Sequence, residues 1–336
     1  MRFGLFLLAA QFPGQDHTTV LDSTVAAAVA AEAAGFDDVW IAEHHFMSYG
    51  ICPSAITLAG YLLGATQRIT VGTAVSVLST QHPIAVAEQT ALLDQLSGGR
   101  FGLGVGRGGP WIDLEVFGTG LDSYQQGFAE ALDLLLAALT SPRLAATGPR
   151  FCFPEIDIVP QSYTRPRPEV VVAVTTAPTA KLAAQRGLPM LLGMHANDND
   201  KAALITHYQH FAPGPGRHLA ASLAYVADTQ HEALDTMRNC LPRWLGPGLA
   251  GYRRADGHPH HPRDPHDYTE LLCRLHPVGT PEHCRDTLTK TARRTGIDHF
   301  LLLVEGTGDR ARTLDNITRL GTEVIPVLQG RASPRP

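Results

Sequence analysis

Two adjacent histidines, His44 and His45, end the apolar run DDVWIAEHH (37–45) and are the side chains best suited to moving protons near neutral pH. A neutral imidazole, with an ordinary pKa of about 6.5, takes a proton from one group and returns it to another. On a strand neighbouring side chains point to opposite faces, so only one of the pair is expected at a site beyond the strand's end. His44 is assigned there; His45 is assigned a structural or subunit-contact role. GVGRGG (104–109) formally matches the dinucleotide fingerprint G-x-G-x-x-G. That motif has to follow the first strand of a βαβ unit and open a helix, whereas this copy follows a fourth strand and runs into Pro110. Its glycines are better read as letting backbone approach a ligand closely. His258, His260, His261 and His266, with Asp264, sit among prolines and charges at no regular helical spacing. They read as a solvated loop, with no metal site. Neither G-x-S-x-G nor a Walker loop is present, and Met190 and Met194 read as core filler.

These groups need a frame, and the frame is a repeat. Apolar runs at 2–8, 37–45, 69–79, 100–108, 170–176, 189–194, 218–228 and 299–305 alternate with helical segments at 18–34, 54–67 and 83–99, then from 177 to Arg186, near 200–210 and 230–245, at 280–295, and to about Leu328. Gly35 stands at the usual post-helix position and Pro83 at an allowed first turn. Eight strands with helices between them favour a closed (β/α)8 TIM barrel over an open sheet. The barrel is expected as one domain over 1–330, with a short flexible tail at 331–336. Two stretches interrupt it, a Pro-rich excursion at 141–168 and a mobile loop at 246–278 rich in Gly, Pro, His and Arg. In a barrel, catalysis and lids belong to loops beyond the strand C-termini, so 246–278 is assigned as a lid.

Composition narrows the ligand. A net charge of −5 with 18% charged residues gives no broad attraction to nucleic acid or an anionic membrane surface. A small, mostly apolar substrate fits better. The first apolar run is too short to span a bilayer and lacks a clean cleavage site, so it is a buried strand and not a signal peptide. Five scattered cysteines, odd in number and without a CxxC pair, suit a reducing cytoplasm.

Several motifs in register carry a resemblance: AEHHF (42–46), VGTAVSVLSTQHP (71–83), LLDQLSGGRFGLGVGRG (92–108), VFGTGLDS (116–123), TTAPTAKLAAQRGLPMLL (175–192) and HPVGTPEHCRDTL (276–288). In this order they resemble the bacterial luciferase family, specifically its α chain, over nearly the whole length. The resemblance implies reduced FMN, supplied by a separate NAD(P)H:flavin reductase, bound at the C-terminal mouth of the barrel. There it reacts with O2 through a flavin C4a-hydroperoxide, which delivers hydroxylation, epoxidation or Baeyer-Villiger insertion. Arg107 stands where the family holds the FMN phosphate, and a planar guanidinium suits a phosphate dianion. Thr175, Thr176 and Thr179 stand at the end of the fifth strand and the start of the next helix, where hydroxyls and helix amides also meet phosphate. Ala74 and Val75 match the family's non-prolyl cis peptide beneath the flavin ring, although an ordinary buried strand is the alternative there. His44 corresponds to the catalytic histidine.

Departures shape the expected activity. Gly106 replaces the reactive cysteine of luciferases, Pro110 and Trp111 replace a more polar segment, and Thr175 is neutral where luciferases are often acidic. These changes put light emission and an aldehyde substrate in doubt and favour tailoring of a secondary metabolite such as a polyketide. The apolar faces of 54–67 and 83–97 are wider than one core requires, which implies a homodimer, with a heterodimer as alternative. Two rival functions share this barrel: hydride transfer from the deazaflavin F420, and a non-catalytic flavin-binding protein, against which His44 and the long loops argue.

Overall fold

The alternation of apolar runs and capped helices closes on itself in the computed structural model, which describes residues 1–330. The tail expected at 331–336 lies outside the described residues. Eight parallel strands form the barrel: β1 (Arg2–Leu7), β2 (Asp38–Ile41), β3 (Thr70–Thr73), β4 (Phe101–Gly106), β5 (Val170–Val174), β6 (Met190–Leu192), β7 (Leu219–Leu223) and β8 (His299–Leu303). Each pairs with its sequence neighbours, and β1 meets β8 with Arg2 beside His299 and Phe6 beside Leu303. Around them run α1 (His17–Ala33), α2 (Ala55–Ala65), α3 (Pro83–Ser97), α4 (Phe128–Thr140), α5 (Ala177–Gln185), α6 (Asp198–Gln209), α7 (Gln230–Ala250), α8 (Pro265–Leu275), α9 (Pro281–Thr295) and α10 (Arg310–Arg319).

Local chemistry sets these boundaries. Asp16, Ser54 and Thr280 begin α1, α2 and α9 by accepting the amide protons of Thr19, Thr57 and His283, which would otherwise lack partners. Gly98 ends α3 in the left-handed conformation at φ 63°. Strand alternation then sorts the core into two layers. Leu5, Leu7, Val39 and Ile41 face the helices, while Phe6, Trp40, Leu191 and Leu301 fill the barrel. Trp40 is fully buried and plugs the lower barrel, lying so close to β3 that a Cβ on Gly72 would stand 2.6 Å from its ring. Asp38 sits beneath it. This carboxylate accepts from Trp40 Nε1 at 2.8 Å, from the Arg2 guanidinium at 2.8 Å, and lies 3.0 Å from His299 Nε2.

Where the chain departs from simple periodicity, tertiary contacts decide. The run 69–79 is not one strand: after β3 the Ala74–Val75 peptide is cis, and Ser76–Val77 then pairs with the end of β4. The run 218–228 likewise breaks, with Tyr225–Val226 pairing outside the barrel with Val278–Gly279. The Pro-rich excursion forms an antiparallel hairpin of Arg143–Thr147 with Cys152–Asp157. About half of the expected loop at 246–278 is helical, which corrects the sequence reading. α7 runs through Pro242 and Pro247 to Ala250 because Leu241, Trp244, Leu245 and Gly248 bury one face. α8 starts where Asp264 accepts two amide protons ahead of Pro265, and it buries Tyr268, Leu272 and Cys273 along one face. Within this region 251–264 and 276–278 are without a helix.

Candidate active site

The strand C-termini and the loops above them form a half-open cavity of about 320 Å³. Its floor is apolar and low. The cis peptide puts Ala74 and Val75 there, and Ala42, Ala173 and Ala221 add only methyl groups. Gly106 lies directly behind Val75, where a Cβ would stand 2.6 Å from Val75 Cγ2 and 3.5 Å from Ala173 Cβ. Gly106 therefore shapes the floor through Val75 and does not line the cavity itself.

His44 lines one side. Its backbone donates to the Cys52 carbonyl at 2.9 Å, and its ring meets Tyr49 edge-on at 5.1 Å. Nδ1 is buried without a partner, which leaves Nε2 as the nitrogen available to a ligand. Burial first, and the neighbouring His45 second, push its pKa down to about 4, so the ring is neutral in the physiological range. His45 also lines the cavity, contrary to the expectation that only one histidine would. Alternation fails because β2 ends at Ile41 and the chain turns, with Phe46 at φ 61°. His45 Nε2 lies 3.6 Å from Glu43 Oε1, and its ring meets Phe117 edge-on at 5.0 Å.

Two carboxylates belong to the site without having stood out in the sequence. Glu43 is buried and accepts from the amides of Ala55 and Val77 at 3.2 and 3.1 Å and from Gln81 Nε2 at 3.1 Å. It thereby ties the start of α2 to the segment just past the cis peptide. Its one signal was an acid inside an apolar strand run. Asp113, in a short helical turn, also lines the cavity, and burial raises its carboxyl above the usual carboxylate range. Met194, read as core filler, is buried but forms part of this wall; Met190 faces the helices.

At the rim the expected anion-binding groups sit on neighbouring strands. The β4–β5 register pairs Val105 with Val172, which brings Arg107 and Thr175 to adjacent strand ends. The Arg107 carbonyl accepts from Ser79 Oγ at 2.6 Å, and its guanidinium lies 4.5 Å over the Tyr124 ring, with no carboxylate partner among the described residues. Thr175 borders the cavity; Thr176 and Thr179 begin α5 just outside it. Their hydroxyls lie 3.0 Å apart, and Thr176 leaves the first amides of α5 uncapped by its side chain. An unpaired guanidinium beside an open helix N-terminus, next to a shallow apolar floor, fits the phosphate and ring of a flavin mononucleotide.

The far wall comes from distant sequence. Trp111, Tyr252 and Tyr268 face the cavity together with Tyr49. The segment 251–264 is laced to the β4 loop by Ile112 N to Arg253 O at 2.8 Å and Ala255 N to Pro110 O at 2.9 Å. Trp244 Nε1 donates to the Tyr49 carbonyl at 3.0 Å, and α7 approaches so closely at Gly248 that a Cβ there would lie 3.1 Å from Tyr49 Cα. His260, from the histidine cluster, lies edge-on to Trp111 at 5.7 Å, while His258, His261 and His266 are exposed.

A closed (β/α)8 barrel whose mouth combines a neutral histidine, a cis peptide floor and an unpaired arginine matches a known group of oxygenases. The chain belongs to the luciferase-like monooxygenase family, whose profile matches residues 1–299. The alkanal monooxygenase alpha chain of Photorhabdus luminescens is 31% identical, covering 98% of this chain and 98% of its own length. Among solved structures, the monooxygenase RslO1 from Streptomyces bottropensis superposes with a TM-score of 0.85 at 21% identity, over 97% of this chain and 99% of its own. The FMN-bound oxygenating constituent of 3,6-diketocamphane monooxygenase from Pseudomonas putida does so at 0.80 and 20% identity, over 100% of both. Among the described residues, no helix is long and apolar enough to cross a membrane.

Proposed function

We propose that this chain is the oxygenating component of a two-component monooxygenase, taking reduced FMN from a separate NAD(P)H:flavin reductase and inserting one atom of O2 into a small organic substrate, a secondary metabolite such as a polyketide. The observation that carries this reading is the pairing of a half-open, mostly apolar cavity bearing a neutral His44 with an unpaired Arg107 beside it. Reduced flavin, when bound, supplies the electrons that activate O2. Arg107, Thr175, Thr176 and Thr179 hold the phosphate, while Ala74 and Val75 support the ring, with Gly106 setting Val75 from behind. His44 accepts or returns a proton at Nε2. The segment 251–264, bonded to the β4 loop, excludes bulk water from the mouth. Exposed Tyr61, Leu92 and Leu96 on α2 and α3 give the homodimer its contact.

Anaerobic titration of the purified chain with reduced FMN, reduced riboflavin and reduced F420, followed by mixing with O2, tests the reading. FMN is expected to bind more tightly than riboflavin. Arg107→Ala is expected to weaken FMN roughly 10- to 100-fold, as loss of a charge-assisted contact does, and to leave riboflavin unchanged. Oxygen uptake should precede the return of the oxidised-flavin band by a delay that His44→Ala abolishes. Tight F420 binding without oxygen uptake would replace this reading with hydride transfer.

A further inference from the structure

The far wall holds three phenols that the reading above leaves without a task. Tyr49, Tyr252 and Tyr268 all line the cavity, and Tyr49 and Tyr268 are only 8% and 6% exposed. The Tyr49 and Tyr252 rings lie 5.8 Å apart, and burial holds all three phenols above the usual phenol pKa, so each keeps its proton. Trp244 occupies the Tyr49 backbone oxygen, but among the described residues the Tyr49 hydroxyl has no acceptor. The Tyr252 hydroxyl has none either. At Tyr268 the near neighbour is Arg263, whose guanidinium lies 4.8 Å over the ring; it is a donor only and does not take the phenol's proton. None of these hydroxyls is sealed inside the protein, so each is reachable from the cavity its ring lines, and three free donors beside one largely apolar cavity present a set awaiting an oxygen from outside the chain.

The surrounding surfaces say what carries that oxygen. Trp111 lies 4.7 Å from Tyr252, Tyr49 stacks on Trp244 at 4.8 Å, and His44 stands edge-on to Tyr49. Aromatic faces and edges suit a flat π system, and a carbonyl oxygen has two lone pairs for phenol donors. A saturated alkyl chain uses neither property. We propose that Tyr49, Tyr252 and Tyr268 recognise the ring carbonyl of a planar, fused-ring aromatic substrate and set it between Trp111 and His44. Its catalytic meaning rests on the monooxygenase reading; the recognition itself is a binding property.

The test uses the full chain saturated with oxidised FMN and follows binding of 2-hydroxy-1,4-naphthoquinone by calorimetry, with naphthalene and decanal as controls. The quinone is expected to bind more tightly than either control. Tyr49→Phe, Tyr252→Phe and Tyr268→Phe keep the rings, and each is expected to weaken the quinone roughly 2- to 12-fold, the range of one neutral hydrogen bond, with naphthalene and FMN unchanged. Near-ultraviolet circular dichroism checks that the wall stays intact. Unaltered quinone binding by all three variants, naphthalene binding as tightly as the quinone, or no quinone binding at all would overturn the proposal. So would variants that lose FMN instead, which would make the phenols flavin ligands. A wild-type chain that takes up no FMN yet binds the quinone through these tyrosines would sink the monooxygenase reading and leave this one standing.

Discussion

Replacing Gly106 by alanine is a direct probe of how the cavity floor is built, because the added atom meets one defined neighbour. The new Cβ would stand 2.6 Å from Val75 Cγ2, about 1 Å inside ordinary carbon–carbon contact. Val75 is β-branched and turns about χ1 only at a cost, and its way out is upward into the cavity. Overpacking of this kind costs about 1–3 kcal/mol, which for a chain of 336 residues lowers Tm by about 1–4 °C. Val75 Cβ itself is 3.6 Å from the added atom, an ordinary contact. Val75→Ala should therefore relieve the clash, and the Gly106→Ala/Val75→Ala double variant should be more stable than the sum of the two single effects by at least about 1 kcal/mol. Thermal unfolding of the four proteins, with FMN titration of each, measures the coupling. If the double variant loses the plain sum of the single losses, or Gly106→Ala melts with the wild type, Val75 does not occupy the space that Gly106 leaves.

The same logic extends elsewhere. Because burial holds His44 near a pKa of about 4, kcat/KM should stay level as pH falls through about 6.5 and decline only towards about 4 to 5; an acid limb at about 6.5 would show a solvated ring. Folded-state stability should fall over the same acid range. His44 and His218, each pushed down to about 4, and His276, pushed down to about 3, are buried neutral, so below about 6.5 the unfolded chain binds protons that the folded one refuses. Denaturant midpoints measured from about pH 7 down to about pH 4 should drop, and His218→Asn, which keeps an acceptor for the Met190 amide, should flatten the slope. At the other end of the barrel, Gly72→Ala should destabilise more than Gly106→Ala, since the rigid, fully buried Trp40 ring has no cavity to move into; equal losses by chemical denaturation would contradict that.

The barrel was legible because its signals are local: apolar runs alternating with helical segments, Gly35 just past the first helix and Pro83 at the first turn of α3. His44, Arg107 and the three threonines were legible through motifs in register. What escaped depends on contacts between distant segments. Glu43 matters because Ala55 and Val77 converge on it, which no window of sequence shows. α8 was hidden by its His, Arg and Pro neighbours, although Asp264 and Pro265 spelled a helix start. His45 was misplaced by extending strand alternation past Ile41, where pairing stops.

The lacing of 251–264 to the β4 loop divides the site along the chain. Everything assigned to the flavin lies before residue 180, on strands β2 to β5 and the turns that follow them. Of the far wall, Tyr252 comes from this segment, which joins the flavin side through backbone amides and carbonyls at 110–112 and through Tyr252, Arg254 and His260 gathered around Trp111. Backbone bonds ask little of side-chain identity. On the proposed function, that segment is accordingly a replaceable cassette: exchanging it for one of similar length that keeps an aromatic side chain against Trp111 is expected to change which molecule the cavity accepts while flavin binding stays as it was.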